Sequence, residues 1–392
     1  VPPLRFPEFS GEWEKCKFGD IATGFDYGMN AAAKPFDGEN KYIRITDIDE
    51  ASSTYNDTDI VSPDGSLTDN YVVNDRDILL ARTGASTGKS YLYRKSDGKL
   101  YYAGFLIRAN VTEHNPYFVF SQLHTHRYWR WVSIMSARSG QPGINSQEYS
   151  SFPIFTTSLH EENKIASLLS RLDERIATQN KIIEDLKKLK SAIVEMLLCN
   201  RNSELLKLGD IGYFVRGLTY ANEDVTENKA ATAVIRANNL NYGNHVDKGE
   251  VVYVSRTPAT SQILQKGDIV ICMANGSSAL VGKNSYYPFN DGQSTVGAFC
   301  GIYRTSHPLA KWLMQSRRYK RLVYQSLQGG NGAIANLNGD DILNMSFPVM
   351  EKEKSKSIIF ILETIEKSLA VNKGLQRSYS TQKSHLLKQM FI

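Results

Sequence analysis

Residues 165–197 read IASLLSRLDERIATQNKIIEDLKKLKSAIVEML, and residues 358–390 read IIFILETIEKSLAVNKGLQRSYSTQKSHLLKQM. In both segments mostly apolar positions recur at alternating steps of four and three, the heptad spacing of a coiled-coil seam. Polar residues interrupt the two seams at matched places, Gln179 with Asn372 and Lys190 with Lys383, and such residues fix register and partner. The pattern predicts two related helices that pack together, rather than two unrelated amphipathic surface helices.

Each predicted helix is about 50 Å long, at roughly 1.5 Å per residue. We expect the two helices to run antiparallel as a spacer, with the domains that precede them related by a pseudo-twofold axis. The predicted helix–helix seam consists of Leu169, Leu172, Ile176, Ile183, Leu186, Ile193, Leu362, Ile365, Leu369, Tyr379 and Leu386.

The segments before the two helices also repeat. Residues 17–21 (KFGDI) return as 207–211 (KLGDI), and residues 152–154 (FPI) return as 347–349 (FPV). In each copy short strand-like runs come first and one helix comes late. The predicted strands are 41–48, 78–82, 105–111, 233–237, 251–254 and 269–273, and the predicted late helices are 116–138 and 308–328. We therefore predict an α+β fold, duplicated in tandem: domains at 1–157 and 200–349, each followed by a long helix at 158–199 and 350–392.

Length and composition are those of an ordinary soluble globular protein with two or three domains. The formal net charge of +5 permits a nucleic-acid partner without requiring one. Four scattered cysteines, with no C-x-x-C pair, predict reduced thiols rather than a disulfide framework or a zinc site. The absence of a signal-like start and of any run of about 18 apolar residues predicts a cytoplasmic protein without a membrane span.

Three motifs resemble parts of enzymes but do not fit them well. Residues 83–90 (TGASTGKS) follow a strand, but a phosphate-binding loop has four residues between its glycines, and three separate Gly84 from Gly88. Residues 115–118 (NPYF) are similar to an adenine methyltransferase motif, but Asn followed by Pro is typical of a helix start. His124 and His126 would face different sides of a helix. We predict no catalytic residue and no metal site, with a P-loop ATPase as the enzymatic rival.

Charge is strongly segregated along the chain. Residues 47–77 hold nine acidic side chains against one arginine, whereas residues 78–147 hold nine basic side chains against two acidic ones. In the second copy, residues 304–321 hold six basic side chains and no acidic one. Such local density suits phosphate binding, although a solvated helix face is the simpler alternative for residues 317–321.

Two Gly-rich loops that carry Asn or Gln, residues 139–145 (SGQPGIN) and 328–333 (QGGNGA), follow the late helices. Such loops let the backbone approach DNA while amide side chains read adenine edges. We therefore predict DNA contacts from basic, amide and hydroxyl side chains in these loops, in the basic segments and in the turns after strands. The candidates are Arg82, Thr83, Ser86, Lys89, Arg127, Arg138, Gln141, Asn145, Arg236, Asn238, Asn239, Asn275, Ser277, Lys283, Arg317, Arg318, Arg321, Gln328 and Asn331.

The layout resembles the specificity subunit of type I restriction–modification systems. Residues 77–84 (DILLARTG) are similar to the strand and turn of its target recognition domains, and residues 140–145 with 152–154 resemble the exit from that domain. Residues 162–166 (ENKIA) resemble the Glu-Gln-x-x-Ile-Ala entry to its spacer helix, with Asn163 in place of the usual Gln. The second copy departs from the pattern at 273–276 (MANG) and 351–354 (EKEK).

The resemblance implies a non-catalytic subunit with two target recognition domains, each reading one half of a bipartite site in double-stranded DNA. The helices would set the gap between the half-sites and dock two modification subunits that bind AdoMet. Restriction subunits that use ATP and Mg²⁺ would join through them, so this chain itself would hold no cofactor. The alternative from the residues alone is a non-enzymatic coiled-coil scaffold whose domains bind other proteins.

Overall fold

The structure is a computed structural model that describes residues 1–137, 143–198, 204–327 and 335–391. The chain divides into two compact units. Unit 1 comprises Val1–Lys181 together with Lys373–Ile392, and unit 2 comprises Ile182–Asn372. Each unit therefore contains one α+β domain and a part of each long helix.

Unit 1 is built on a four-stranded antiparallel sheet in the order β2-β9-β6-β7, with a separate parallel pair β4-β8 and two antiparallel pairs, β1-β10 and β3-β5. Its strands are β1 (Glu14–Lys17), β2 (Ala22–Tyr27), β3 (Ala32–Pro35), β4 (Lys41–Ile43), β5 (Val61–Asp64), β6 (Asp77–Ala81), β7 (Ser90–Leu92), β8 (Leu100–Tyr102), β9 (Leu106–Val111) and β10 (Pro153–Thr156). Its helices are α1 (Phe18–Ile21), α2 (Pro116–Gln122), α3 (His126–Ser136), α4 (Ser146–Ser150) and the first part of α5 (Leu159–Met196).

Unit 2 repeats the four-stranded antiparallel sheet and the parallel strand pair of unit 1, but here the parallel pair is part of a second four-stranded sheet. Its antiparallel sheet has the order β12-β20-β16-β18, and β14 pairs in parallel with β19. The strands are β11 (Glu204–Lys207), β12 (Tyr213–Arg216), β13 (Val225–Thr226), β14 (Thr232–Ile235), β15 (Val252–Val254), β16 (Ile269–Cys272), β17 (Ala274–Asn275), β18 (Asn284–Tyr286), β19 (Ser294–Val296), β20 (Cys300–Arg304), β21 (Ala335–Asn336) and β22 (Ser346–Val349). The helices are α6 (Leu208–Ile211), α7 (Ala310–Leu313), α8 (Arg317–Leu327), α9 (Gly339–Leu343) and the first part of α10 (Lys352–Met390). The prediction of a duplicated α+β fold, with a long helix after each domain, is confirmed.

The central strands are apolar on both faces because helices cover one face and a second layer of strands the other. Every residue of β6 (DILLA) and of β16 (IVIC) is buried. On the helical side, Tyr128 of α3 reaches the turn after β6, where its hydroxyl donates to the Gly88 carbonyl at 2.8 Å. Tyr319 of α8 makes the same bond to the Gly282 carbonyl at 2.9 Å. The two domains therefore hold the same turn with the same tyrosine.

The single late helix predicted in each copy is two helices, so this prediction was wrong in detail. The Thr125 hydroxyl accepts a hydrogen bond from the Tyr128 amide at 3.3 Å, and the Ser316 hydroxyl accepts one from the Tyr319 amide at 3.2 Å. A side-chain oxygen that satisfies an amide in this way starts a new helix. The apolar spacing continues across the break, because Leu123 between the helices is buried, and this hid the break in the sequence.

In each unit the two long helices run antiparallel. In unit 1, Asp173 pairs with Lys383 at 2.6 Å, and Arg175 lies over the ring of Tyr379. Residue numbers thus rise along α5 as they fall along α10. In unit 2, Lys190 pairs with Glu366 at 2.9 Å. These two ion pairs are copies of each other, since an offset of 193 converts Asp173 into Glu366 and Lys190 into Lys383.

The eleven predicted seam residues are all shielded from solvent to some degree. The buried ones are Leu169, Leu172, Ile183, Leu362, Ile365 and Leu369, and the half-buried ones are Ile176, Leu186, Ile193, Tyr379 and Leu386. Within unit 2, Ile183, Ile365 and Leu369 form one apolar cluster. Two of the polar residues that interrupt the seam, Lys190 and Lys383, bind carboxylates, because they form the two ion pairs.

Candidate nucleic-acid interface

Arg82 emerges from the end of β6 onto a surface formed by two aromatic rings. Its guanidinium carbon lies 4.8 Å from the ring centre of Tyr27 and 5.8 Å from that of Phe105. Its Nε donates to the carbonyl of Gly104 at 3.1 Å. A cation held on aromatic faces is oriented without being neutralised. Arg82 is therefore positioned to meet an anion or the edge of a base.

The glycine-rich turn after Arg82 is a short 3-10 turn (Gly84–Ser86) that leads into strand β7. Thr83 forms an isolated bridge with Gly143, and Ser86 is half-buried. The Lys89 ammonium lies 3.2 Å from the Glu50 carboxylate. No helix follows this lysine, so the backbone lacks the loop-to-helix geometry of a phosphate-binding P-loop.

The conformation of this turn explains its second glycine. Gly88 has φ +92°, and an added Cβ would come within 2.7 Å of Val132 on α3. Gly282, at the matching turn of unit 2, has φ +79° and the same clearance from Val323 on α8. The glycines thus serve the close approach of a helix to the turn.

Two other candidates in unit 1 have partners within the domain. Arg127 lies over the rings of Phe152 and Phe155, at 5.5 and 4.5 Å, and donates to Gln122 at 3.2 Å. Burial lowers the pKa of Arg127 to about 10. The Asn145 side chain accepts from the Glu148 amide at 2.9 Å and caps α4. Arg138 and Gln141 lie outside the described residues.

Unit 2 contains a cleft of about 640 Å³ that brings three of the predicted residues together. Arg236 and Asn238 follow β14, whereas Asn275 follows β16, and all three line the cleft. Arg236 and Asn238 are exposed, and Asn275 is half-buried. The remaining walls are Tyr220, Ala237, Ala274, Gly276, Gly297, Ala298, Phe299 and Cys300.

A comparison of matched turns shows why Arg236 is open. In unit 1 the corresponding residue is Arg44, which follows β4 and is held by the carboxylate of Asp47 through two bonds of 2.8 Å. In unit 2 the place of Asp47 is taken by Asn239, whose Oδ1 accepts from the Arg236 amide at 2.9 Å. The backbone cap is the same, but the exchange of Asp for Asn removes the acid. Arg236 keeps a charge that Arg44 has neutralised within its own turn.

The other candidates of unit 2 divide into packed and exposed residues. Asn239 is 2% exposed and donates to the Glu250 carbonyl, and Arg318 donates through Nε to the Ser346 carbonyl at 2.7 Å. Both act in packing. Ser277 is exposed and Lys283 half-buried, and on α8 Arg317 and Arg321 are exposed. Gln328 and Asn331 lie outside the described residues.

Two aromatic residues near these sites were missed by the sequence analysis. Phe105 and Phe299 are 55% and 68% exposed, and Phe299 lines the cleft of unit 2. Each directly precedes the strand of its four-stranded antiparallel sheet that comes last in the sequence: Phe105 precedes β9, and Phe299 precedes β20. Their matched position in the repeat was a signal present in the sequence.

The described part of the chain contains no group of three or more His, Cys, Asp or Glu side chains arranged to hold a metal ion. Among the same residues, no helix combines the length and apolarity needed to cross a membrane. Cys272 and Cys300 are free thiols in neighbouring strands, and burial raises the pKa of Cys300 to about 12.

Comparison with known proteins identifies a family model and curated relatives that match part of the chain. Residues 10–188 match the family described as "Type I restriction modification DNA specificity domain". Over 150 residues the chain is 29% identical to the type I restriction enzyme EcoKI specificity subunit of Escherichia coli (strain K12). The alignment covers 36% of this chain and 31% of that relative. The chain thus aligns with about a third of the length of this curated relative.

Two solved structures resemble the whole chain. The type I restriction–modification S subunit from M. genitalium superposes with a TM-score of 0.66 at 15% identity, covering 100% of this chain and 99% of that one. A second structure, described as the structural basis underlying complex assembly and conformational transition of the type I R-M system, gives a TM-score of 0.50 at 14% identity. This match covers 98% of this chain and 97% of that one. At these identities the likeness concerns the fold.

Proposed function

We propose that this chain, whose residues 10–188 match the type I restriction modification DNA specificity domain, is a specificity subunit of a type I restriction–modification system and reads a bipartite site in double-stranded DNA. Specificity subunits are non-catalytic. Each α+β domain reads one half-site, the first through the surface around Arg82 and the second through the cleft around Arg236.

The observation that carries the proposal is the composition of the unit 2 cleft. It joins a guanidinium that has no acid in its turn, Arg236, to two amide side chains, Asn238 and Asn275. Guanidinium groups bind phosphates or the O6 and N7 atoms of guanine, and amides bind the N6 and N7 atoms of adenine. A protein-binding scaffold has no need for this combination of side chains around one cleft.

Basic residues outside the cleft supply the sequence-independent part of binding. Arg317 and Arg321 are exposed on α8, and their positive charge attracts the phosphate backbone. Each phosphate neutralised by a basic side chain releases condensed counterions, so affinity falls steeply as salt rises. In this scheme, α8 contributes affinity and the cleft contributes specificity.

The long helices dock two modification subunits and set the gap between the half-sites. AdoMet belongs to those subunits, and ATP and Mg²⁺ belong to restriction subunits that join through them. The complex acts in the cytoplasm.

The decisive experiment maps methylated bases in DNA from cells that express this chain together with its modification subunit. We expect an asymmetric motif of two short parts separated by an unspecified gap. Arg236→Ala is expected to relax one part only, because Arg236 lies in one domain. The matched control is Arg44→Ala, whose guanidinium is bound by Asp47. A continuous motif, or none, would count against the proposal.

Binding measured against salt separates DNA recognition from the scaffold alternative. The full chain with its modification subunit is titrated onto a duplex that carries the mapped motif, at several salt concentrations. We expect a steep linear fall of log K with log salt. An affinity independent of salt would favour the protein-interaction scaffold.

A further inference from the structure

Each domain exposes one phenylalanine at the same turn. Phe105 lies directly before β9 and Phe299 directly before β20. Both turns close with the same hydrogen bond: the Leu106 amide donates to the Ala103 carbonyl, and the Cys300 amide donates to the Gly297 carbonyl, each at 2.8 Å. The rings therefore occupy equivalent places in the duplicated fold.

The backbone of each phenylalanine is also fixed from the side. The Phe105 carbonyl accepts from the Arg82 amide at 3.0 Å, and the Phe299 carbonyl accepts from the Met273 amide at 2.8 Å. These bonds tie both turns to the residue that follows the central strand, β6 or β16. The two phenylalanines are 55% and 68% exposed, so their own domains leave more than half of each residue uncovered.

The rings remain although their surroundings have diverged between the two copies. Ala103 of the first turn corresponds to Gly297, and Leu106 corresponds to Cys300, yet the residue between them that carries the ring is phenylalanine in both. Packing inside the domain does not account for this, because the rings are exposed. A ligand common to both domains does account for it.

The neighbours of the rings indicate which ligand this is. The Arg82 guanidinium lies 5.8 Å from the ring centre of Phe105, and Phe299 shares its cleft with Arg236 and Asn238. An apolar ring among cations and amides fits a nucleic-acid duplex. The phosphates and base edges of the duplex bind the cations and amides, and its base faces and thymine methyl groups contact the ring.

We infer that Phe105 and Phe299 are base-contacting residues, each packing its ring on a base of the half-site read by its own domain. This inference rests on the proposed function. A phenyl ring contacts bases but forms no ion pair with phosphate. The two residues therefore contribute to sequence preference and leave the salt dependence of binding unchanged.

The test uses the full chain with its modification subunit and a duplex carrying the motif methylated by the wild-type complex. Phe105→Ala and Phe299→Ala are each expected to lower affinity about tenfold, as loss of an aromatic contact with a base does. Each should relax one half-site and not the other. The slope of log K against log salt should stay at the wild-type value, because no phosphate contact is lost.

Controls come from exposed apolar residues elsewhere in the same units. Phe36 in unit 1 and Phe289 in unit 2 are each 38% exposed, so Phe36→Ala and Phe289→Ala each remove a partly exposed phenyl ring outside the two turns. Both are expected to bind like the wild type. Thermal unfolding of all four variants checks that the domains remain folded.

The outcomes separate this inference from the proposed function. If the wild-type complex produces no two-part motif, the proposed function fails. If the motif is present but both phenylalanine variants keep wild-type affinity and specificity, the inference alone is overturned. A reduced salt slope for these variants would also overturn it, since that result indicates a phosphate contact.

Discussion

At the scale of single residues, Arg44 and Arg236 differ in role because the acid next to Arg44, Asp47, is replaced by Asn239 next to Arg236. We assign Arg44 a structural role and Arg236 a binding role. Arg44→Ala removes two charge-assisted hydrogen bonds to Asp47 and is expected to lower the free energy of unfolding by about 1–2 kcal/mol. Arg236→Ala is expected to change it by less than about 0.5 kcal/mol and to weaken binding to the half-site duplex by about 1–3 kcal/mol. Denaturant titration and DNA titration of both variants check the contrast. Equal loss of stability in the two variants would contradict it.

Protonation of His124 is expected to lower the stability of unit 1 in acid. Its Nδ1–H donates to the Phe120 carbonyl at 2.9 Å, and its Nε2 accepts from the Ser53 hydroxyl at 2.9 Å, a pattern that suits the neutral ring. Burial, with the nearby Lys383 cation, lowers the pKa of His124 to about 4. The unfolded value is about 6.5, so below that pH the unfolded chain takes up a proton that the folded domain rejects. The free energy of unfolding is expected to fall by up to about 3 kcal/mol as the pH falls from about 6.5 to 4.

The measurement is denaturant unfolding at a series of pH values between 7 and 4. His124→Gln should flatten the pH dependence in this window, whereas His126→Gln, which changes an exposed side chain on the same segment, should leave it as in the wild type. Parallel curves for His124→Gln and the wild type would show that another group controls the response.

At the scale of elements, the ion pairs on the long helices specify how α5 and α10 pair. Glu366 receives the ammonium groups of Lys190 and Lys311, both at 2.9 Å. Burial opposes ionisation, but the two lysines lower the pKa of Glu366 below its usual value. The stabilisation is therefore present above about pH 4.3, the value of a free Glu, and is lost as the pH falls through the lower folded value.

Glu366→Gln leaves two partly buried lysines without their anion. We expect a loss of about 2 kcal/mol in the free energy of unfolding of unit 2. Glu363→Gln, on the exposed side of the same helix, is the control and should have little effect. If Glu366→Gln unfolds at the same denaturant concentration as the wild type, the ion pairs do not stabilise the helix pair.

Elements that one hydrophobic period encodes were predicted well from the sequence. Features that depend on a single side chain, or on contacts between residues far apart in the chain, were predicted poorly. The heptads identified both long helices, because every turn of the seam repeats the same signal. The break before α3 depends on one hydroxyl, that of Thr125, which periodicity does not register. Arg127 was a candidate by its charge, but Phe152 and Phe155, which follow much later in the chain, hold it in the domain. The cleft brings Arg236 and Asn275 together from strands of different sheets, a proximity that only the folded domain provides.

At the scale of the whole molecule, the proposed spacer role of the helices predicts a change in the DNA gap. Deleting one heptad from each helix, at positions 193 residues apart, removes about 10 Å of helix and preserves the seam. We expect the unspecified gap to shorten by about three base pairs, at about 3.4 Å each, with both half-sites unchanged. The methylated motif of the deletion variant provides the measurement. An unaltered gap would show that the helices do not set it.

Unit 1 is made from two distant parts of the chain, and this fixes the order in which the protein is completed during synthesis. Phe391 packs against Trp13 and Phe118, with ring centres 6.0 and 5.4 Å apart, so unit 1, most of which is synthesised before unit 2, needs residues 373–391 to finish its core. Unit 2 is continuous, and all its residues are available earlier. A chain interrupted after Asn372 would contain a whole second domain beside an unfinished first one. Closure of the first domain thus depends on translation continuing through residues 373–391.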